Sequence, residues 1–148
     1  MAAAVQPNPE MSENAAYDAL VAHDIKPSVQ RLAVMEYLSA HHTHPTADEI
    51  YNALVGQIPT LSKTTVYNTL RLFVRQGAAT MLTIDGHNAC FDGVTTPHAH
   101  FLCRCCGRVY DVPAAGLLQE SRALLPEGFR TESVDLYYRG LCHQCANN

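Results

Sequence analysis

The chain has 148 residues, enough for one or two small domains with modest cores. Hydrophobic residues make up 47% and charged residues 16%, which excludes a disordered chain. The net charge of −4 argues against a wholly basic nucleic-acid binder, yet Ile50 to Ile84 holds Lys63, Arg71 and Arg75 and no acidic residue, a local positive face.

Met1 to Glu10 lacks the basic start and apolar run of a signal peptide. No stretch approaches the roughly 20 apolar residues that would span a bilayer. The expected setting is therefore cytoplasmic, without membrane attachment, where cysteines stay reduced and bind metal more readily than they pair.

In chain order, residues 1–11 read as a mobile tail. Ser12 is placed to cap a first helix running to about His23, and Ser28 opens a second in which Val29, Leu32, Ala33 and Leu38 can share a face. Thr46 and Glu49 form a T-x-x-E capping box for a short third helix through Leu54. Ser62 caps a fourth helix that ends at Gly77. Ala79–Asp85 and Asn88–Asp92 flank Gly86 as a hairpin. Helices followed by a two-stranded hairpin describe a winged helix-turn-helix. Beyond it, His100–Arg104 and Arg108–Val112 read as strands, Leu117–Leu125 as a helix and Phe129–Tyr138 as a longer strand. The expected fold is α+β: a winged helix-turn-helix domain over residues 12–94, then a small α/β domain over residues 95–148.

The fourth helix has two faces. At 100° per residue, Thr64, Tyr67, Asn68, Arg71 and Arg75 fall within one arc of about 100°, opposite Val66, Thr69, Leu70 and Phe73. The polar arc offers hydroxyl, phenol, amide and guanidinium groups suited to base edges and phosphates. An ordinary amphipathic surface helix would show the same pattern. Its place after a capped helix and before a hairpin favours the nucleic-acid reading.

Cys103-x-x-Cys106 and Cys142-x-x-Cys145 carry the strongest chemical signal. Two such pairs complete a tetrahedral four-thiolate Zn²⁺ site with no open position, hence a structural one. Cys105 leaves other pairings open, and it and Cys90 read as spare or buried thiols. A second constellation uses harder ligands. His98-x-His100 on a strand would point both imidazoles to one face, with Asp92 before them, Asp111 ending the next strand and His44 preceding the third helix. Taken singly, each has a bland reading as a capping, strand-ending or solvated residue. His41 and His42 read as solvent-facing.

The runs His44–Tyr51 and Ser62–Leu70, with Phe91-Asp92, His98-Ala99-His100, the cysteine pairs and Val109-Tyr110-Asp111, closely resemble the ferric uptake regulator family over Ala16 to Cys145. The resemblance implies a C-terminal dimerisation domain and a homodimer reading a two-fold-related, A·T-rich double-stranded DNA operator as a metal-dependent transcriptional repressor, not an enzyme. It assigns structural zinc to Cys103, Cys106, Cys142 and Cys145, and a regulatory ion to His44, Asp92, His98, His100 and Asp111. Tyr67 would contact bases, and Lys26 would enter the minor groove. Within the family the likeness is nearest to the peroxide-responsive branch. Iron sensors tend to carry glutamates at the places of Asp92 and Asp111, and further ligands where Ala99 and Val134 stand. Three imidazoles and two carboxylates suit Fe²⁺ or Mn²⁺, and the branch implies hydrogen peroxide sensing through oxidation of His44 or His98. The rival within the family is a repressor of metal homeostasis answering to iron, manganese or zinc. From other classes, a hydrolytic metalloenzyme and a zinc-ribbon interaction module remain alternatives.

Overall fold

A computed structural model describes residues 15–148; the Ser12 cap and the tail lie outside the described residues. Four helices come first: α1 (Ala15–Ala22), α2 (Val29–Ala40), α3 (Ala47–Leu54) and α4 (Lys63–Arg75). Each start after α1 is closed by a side chain. Ser28 accepts from Arg31 N–H and Ser62 from Thr65 N–H, and Thr46 with Glu49 completes a reciprocal capping box. Gly77, at φ 79°, takes the left-handed position that ends α4, where a side chain would be strained.

Helical periodicity decides the core. Leu20, Val34, Met35, Leu38, Ile50, Val66, Leu70 and Phe73 are buried together, with Phe91 from the following hairpin. The expected face of α2 is corrected: Val29 is 73% exposed, while Val34, Met35 and Leu38 face the core and Leu32 and Ala33 pack at its margin. Val29 opens the helix, before the turn that contacts its neighbours.

The hairpin pairs β1 (Thr80–Leu82) with β2 (Cys90–Asp92), antiparallel, Thr80 opposite Asp92. It is shorter than expected because Asp85 Oδ1 accepts from the N–H groups of His87 and Asn88, 2.9 and 3.0 Å away, folding the tip into a turn. Just past β2, Gly93 passes so close to α2 that a Cβ there would meet the Leu38 carbonyl oxygen at 3.3 Å.

The second half is a three-stranded sheet of order β4-β3-β5. β3 (Ala99–Cys103) pairs antiparallel with β4 (Val109–Val112) and parallel with β5 (Tyr137–Gly140); α5 (Ala115–Arg122) supplies the crossover and α6 (His143–Ala146) ends the chain's ordered elements. The long strand expected over Phe129–Tyr138 is corrected to Tyr137–Gly140. Only these residues have a partner, His100 to Cys103 of β3, and Pro126 and Gly128 (φ 87°) turn the chain before them. Helix α5 begins two residues earlier than the expected Leu117 and stops at Arg122. Burial here is thin: Ala99, Cys103 and Leu118 are enclosed, whereas Leu117, Leu124, Phe129, Tyr138 and Leu141 stand open. Among the described residues no helix is long and apolar enough to cross a membrane.

Candidate metal centres and nucleic-acid interface

The two cysteine pairs meet because of the sheet register. Cys103 ends β3 opposite Gly140 of β5, so the chain leaving β5 delivers Cys142 beside it. A tight turn returns Cys106: Gly107 N–H bonds the Cys103 carbonyl at 2.9 Å, with Gly107 at φ 74°. The sulfurs of Cys103, Cys106, Cys142 and Cys145 lie within 4.8 Å of one another, and Cys106 Sγ is 3.9 Å from Cys142 Sγ. Zinc–sulfur bonds of about 2.3 Å at tetrahedral angles require sulfurs about 3.8 Å apart, so the four fit that ion.

Their electrostatics fit it too. The Cys103 thiol is lowered to about 6 by N–H groups of Cys106 and then of Cys142, while neighbouring sulfurs, Cys105 and Cys142 first, push Cys145 far up. Crowded thiols resist sharing negative charge until a cation joins them. Tyr110, pushed up first by its hydrogen bond with Cys142, is a neighbour of this cluster that sequence reasoning missed. Only the β3–β4 register, with Phe101 opposite Tyr110, could have pointed to it.

The second cluster draws on both halves. From the helical half come His44 and Asp92. His44 precedes Pro45 with φ 56°, a conformation disfavoured for most residues but less so for histidine. Phe91 N–H bonds the Pro45 carbonyl at 2.9 Å, tying the His44 loop to the strand that carries Asp92. Asp92 Oδ1 accepts from Val94 N–H at 2.8 Å, leaving Oδ2 for the cluster. From the sheet half come His98, which lies just before β3 rather than on the expected strand, and His100 and Asp111, directly opposite in register. His98 Nδ1–H donates to the Thr96 carbonyl at 2.6 Å, which frees Nε2 as a donor atom toward an ion.

All five converge. His44 Nε2 is 2.7 Å from Asp111 Oδ1 and 3.5 Å from Asp92 Oδ2; His98 Nε2 is 3.3 and 2.9 Å from the same atoms, and His100 Nε2 3.4 and 3.2 Å. Donor atoms of His44, Asp92, His100 and Asp111 form the tight group, within 4.8 Å of one another, with His98 at its rim. Burial disfavours charge on His44, but the carboxylates of Asp111 and Asp92 outweigh it and push its pKa from 6.5 to about 9. Burial likewise opposes ionisation of Asp92, yet hydrogen bonds from His100, His44, Val94 N–H and His98 hold it well below the usual carboxylate range. Protons here bridge groups that a divalent ion would bridge instead. His44 Nδ1, buried, has no hydrogen-bond partner among the described residues. A mixed nitrogen and oxygen set of this kind suits Fe²⁺ or Mn²⁺.

Cys90 and Cys105 stay apart from that cluster. Burial, then Asp85 and Glu49, pushes the Cys90 thiol up, which keeps it protonated and a poor nucleophile. Cys105 is exposed, as are His41 and His42.

On α4 the two faces separate as their spacing implies: Val66, Thr69, Leu70 and Phe73 are buried, and Thr64, Tyr67, Asn68, Arg71 and Arg75 are exposed. The Arg71 guanidinium lies 5.8 Å from the Tyr67 ring centre, and Lys63 reaches Asp48 at 3.6 Å, both well solvated. Lys26 lines a groove of about 410 Å³ with Asn68 of α4 and Arg31 of α2. Arg31 donates to the Lys26 carbonyl at 2.7 Å and fixes that loop. Sequence reasoning missed Arg31, whose partner is a backbone carbonyl.

Known proteins resemble this chain in sequence and in fold. The ferric uptake regulator family matches residues 22–139. The peroxide operon regulator of Bacillus subtilis (strain 168) is 41% identical over 118 residues, covering 79% of this chain and 81% of that protein. The peroxide-responsive repressor PerR of Staphylococcus aureus (strain Mu50 / ATCC 700699) is 37% identical over 122 residues, 82% of each chain. Among solved structures, the Vibrio cholerae ferric uptake regulator (Fur) superposes with a TM-score of 0.67 at 25% identity, covering 88% of this chain and 100% of that one. The chain belongs to the ferric uptake regulator family.

Proposed function

We propose that this protein is a homodimeric repressor that binds operator DNA under control of one ion per chain and releases it on exposure to hydrogen peroxide. The observation that carries this reading is the convergence of five donors from both halves, His44 and Asp92 with His98, His100 and Asp111. We divide those halves between residues 94 and 95. An ion bridging them sets the angle of the DNA-reading helix relative to the dimer. In a homodimer that angle decides whether two such helices reach successive major grooves. The second ion, Zn²⁺ on Cys103, Cys106, Cys142 and Cys145, is structural, since four thiolates leave it no open position.

In the DNA interface Tyr67 and Asn68 face bases, and Thr64, Lys63, Arg71 and Arg75 face phosphates, with Lys26 reaching the minor groove. Their exposure on one side of α4 and beside it supports this assignment. A repressor of this kind works in the cytoplasm.

The peroxide assignment is supported by the names of the relatives at 41% and 37% identity and by aspartates at both carboxylate positions. When bound, Fe²⁺ supplies the electron that reduces peroxide. The chain's part is to hold the His44 and His98 imidazoles where one peroxide oxygen would convert a ring C–H to C–OH while the other leaves as water. An oxidised imidazole no longer satisfies the cluster, and the bridge between halves fails.

Operator binding by the Fe²⁺-loaded and Mn²⁺-loaded proteins, with and without peroxide, tests the reading. The iron form should lose binding at low peroxide, with one added oxygen on peptides holding His44 or His98, while the manganese form keeps it. Equal responses of both forms, or a first lesion at Cys90 or Cys105, would replace the histidine mechanism. Metal-dependent operator binding without any peroxide effect would assign metal homeostasis instead.

A further inference from the structure

A second link between the halves uses none of the cluster's donors. Arg139 lies on β5 opposite Leu102 of β3. Its Nε–H donates to the backbone carbonyl of Ile84 at 2.9 Å, across 55 residues of sequence. Ile84 is 1% exposed and sits in the hairpin between β1 and β2. The Arg139 guanidinium carbon is 5.8 Å from the Tyr137 ring centre, and that ring meets the His100 imidazole edge-on at 6.2 Å. A continuous strut thus runs from the Ile84 carbonyl through Arg139 and Tyr137 to His100.

We propose that Arg139 is a positioning residue that pins the hairpin to the sheet and so sets Asp92 in register with His98 and His100. Asp92 is the last residue of β2, paired with Thr80 of β1, so a hairpin fixed at Ile84 has its carboxylate end fixed as well. Within the cluster, carboxylate–imidazole hydrogen bonds are surrendered when an ion enters; the Arg139 bond is not. An interaction present only in the converged arrangement lowers the cost of assembling the donors and raises the apparent affinity for the ion. The donor is also specific in shape. A guanidinium offers a directed Nε–H from a planar group laid beside an aromatic ring, which an ammonium does not reproduce. This inference rests on the proposed regulatory site for its metal consequence, but the strut itself is testable without metal.

The experiment uses the full-length, zinc-replete chain and its Arg139→Met variant, which keeps the stem and removes the donors. Amide hydrogen exchange over residues 80–92 is measured without Mn²⁺, and Mn²⁺ is then titrated into each protein. Arg139→Met should speed hairpin exchange and weaken Mn²⁺ binding by roughly 3- to 10-fold, the range expected for one hydrogen bond. Zinc content should stay at the wild-type level. Arg139→Lys, which restores a donor without its direction, should fall between the two, and it provides the readout should the Met variant lose its zinc. Unchanged hairpin exchange overturns the strut. Faster exchange with unchanged Mn²⁺ affinity overturns its positioning role. Failure of the wild type to bind Mn²⁺ at the cluster would count against the regulatory site alone, because the exchange result still decides the strut.

Discussion

The helical half and the sheet half are stabilised in different ways. From α1 to β2 the chain encloses Leu20, Val34, Leu38, Ile50, Val66, Leu70, Phe73 and Phe91 nearly completely. From β3 onward it encloses Ala99, Cys103 and Leu118 and leaves Leu124 86% and Phe129 69% exposed. A core that small does not offset the entropy of ordering its residues. The helical half holds itself together by apolar packing. The sheet half depends on what its cysteines bind and on what covers its open apolar face. The contrast predicts which perturbations each half will feel.

The largest effect should come from the cysteines. Cys142→Ser removes one zinc ligand, and structural zinc can supply about 10–16 kcal/mol of apparent free energy. The variant should lose zinc, sheet order and dimerisation together while retaining most of its helical circular dichroism. Retention of zinc and of full dimer stability would exclude the structural assignment. The mirror experiment is Phe73→Ala, which opens a cavity in the helical core and should cost about 3–5 kcal/mol. Its melting should shift in the helical signal whether or not a chelator is present. If both variants abolished both halves alike, the division proposed between residues 94 and 95 would be wrong.

A pH experiment probes the seam between the halves. The folded-state pKa of His44 is raised from 6.5 to about 9, so its proton stabilises the ion-free fold fully below pH 6.5. That contribution fades as pH rises through about 9. Ion-free protein should therefore lose thermal stability across this window. Mn²⁺ affinity should rise over the same window, because the ion displaces the proton. Calorimetry in buffers of different ionisation enthalpy should detect proton release at pH 7.5. Binding without proton release would remove His44 from the ligand set.

The interface predictions are smaller. Tyr67→Ala should cost about 1–3 kcal/mol of discrimination between operator and unrelated sequence, read by competition binding. Arg71→Ala should instead weaken all sequences and lower the salt dependence by about one contact per protomer. Lys63→Ala should do the same more weakly. Its pairing with Asp48 is solvated at both ends and so costs little to break. Folding stability should barely change in any of the three.

How much was legible beforehand follows the same division. Local chemistry announced the helical half: Ser28, Thr46, Ser62 and Gly77 marked its boundaries to within about a residue. Position along α2 was harder, since spacing alone could not show that Val29 projects past its neighbours. In the sheet half, Phe129–Tyr138 reads as one extended run, but a strand exists only where another strand meets it, and the partner's length is not a local property. The cysteine pairs and the five His and Asp residues were visible as types and spacings, and the family resemblance joined them. Arg31, Tyr110 and Arg139 were invisible because each acts on a group distant in sequence or on a backbone carbonyl, which carries no residue identity.

Gly93 gives the seam a mechanical consequence. With no side chain between it and the Leu38 carbonyl, whatever shifts Asp92 bears directly on the far end of α2. That helix runs about 15 Å from Leu38 back to Ser28 at 1.5 Å per residue, and Ser28 borders the groove that holds Lys26, Arg31 and Asn68. A tilt of about 5° at Leu38 moves the groove end by roughly 1 Å, comparable to the helix shifts that switch other proteins. α2 is thus placed as a lever with its short arm at the carboxylate and its long arm at the groove proposed to face DNA. A Gly93→Ala substitution would wedge the fulcrum itself.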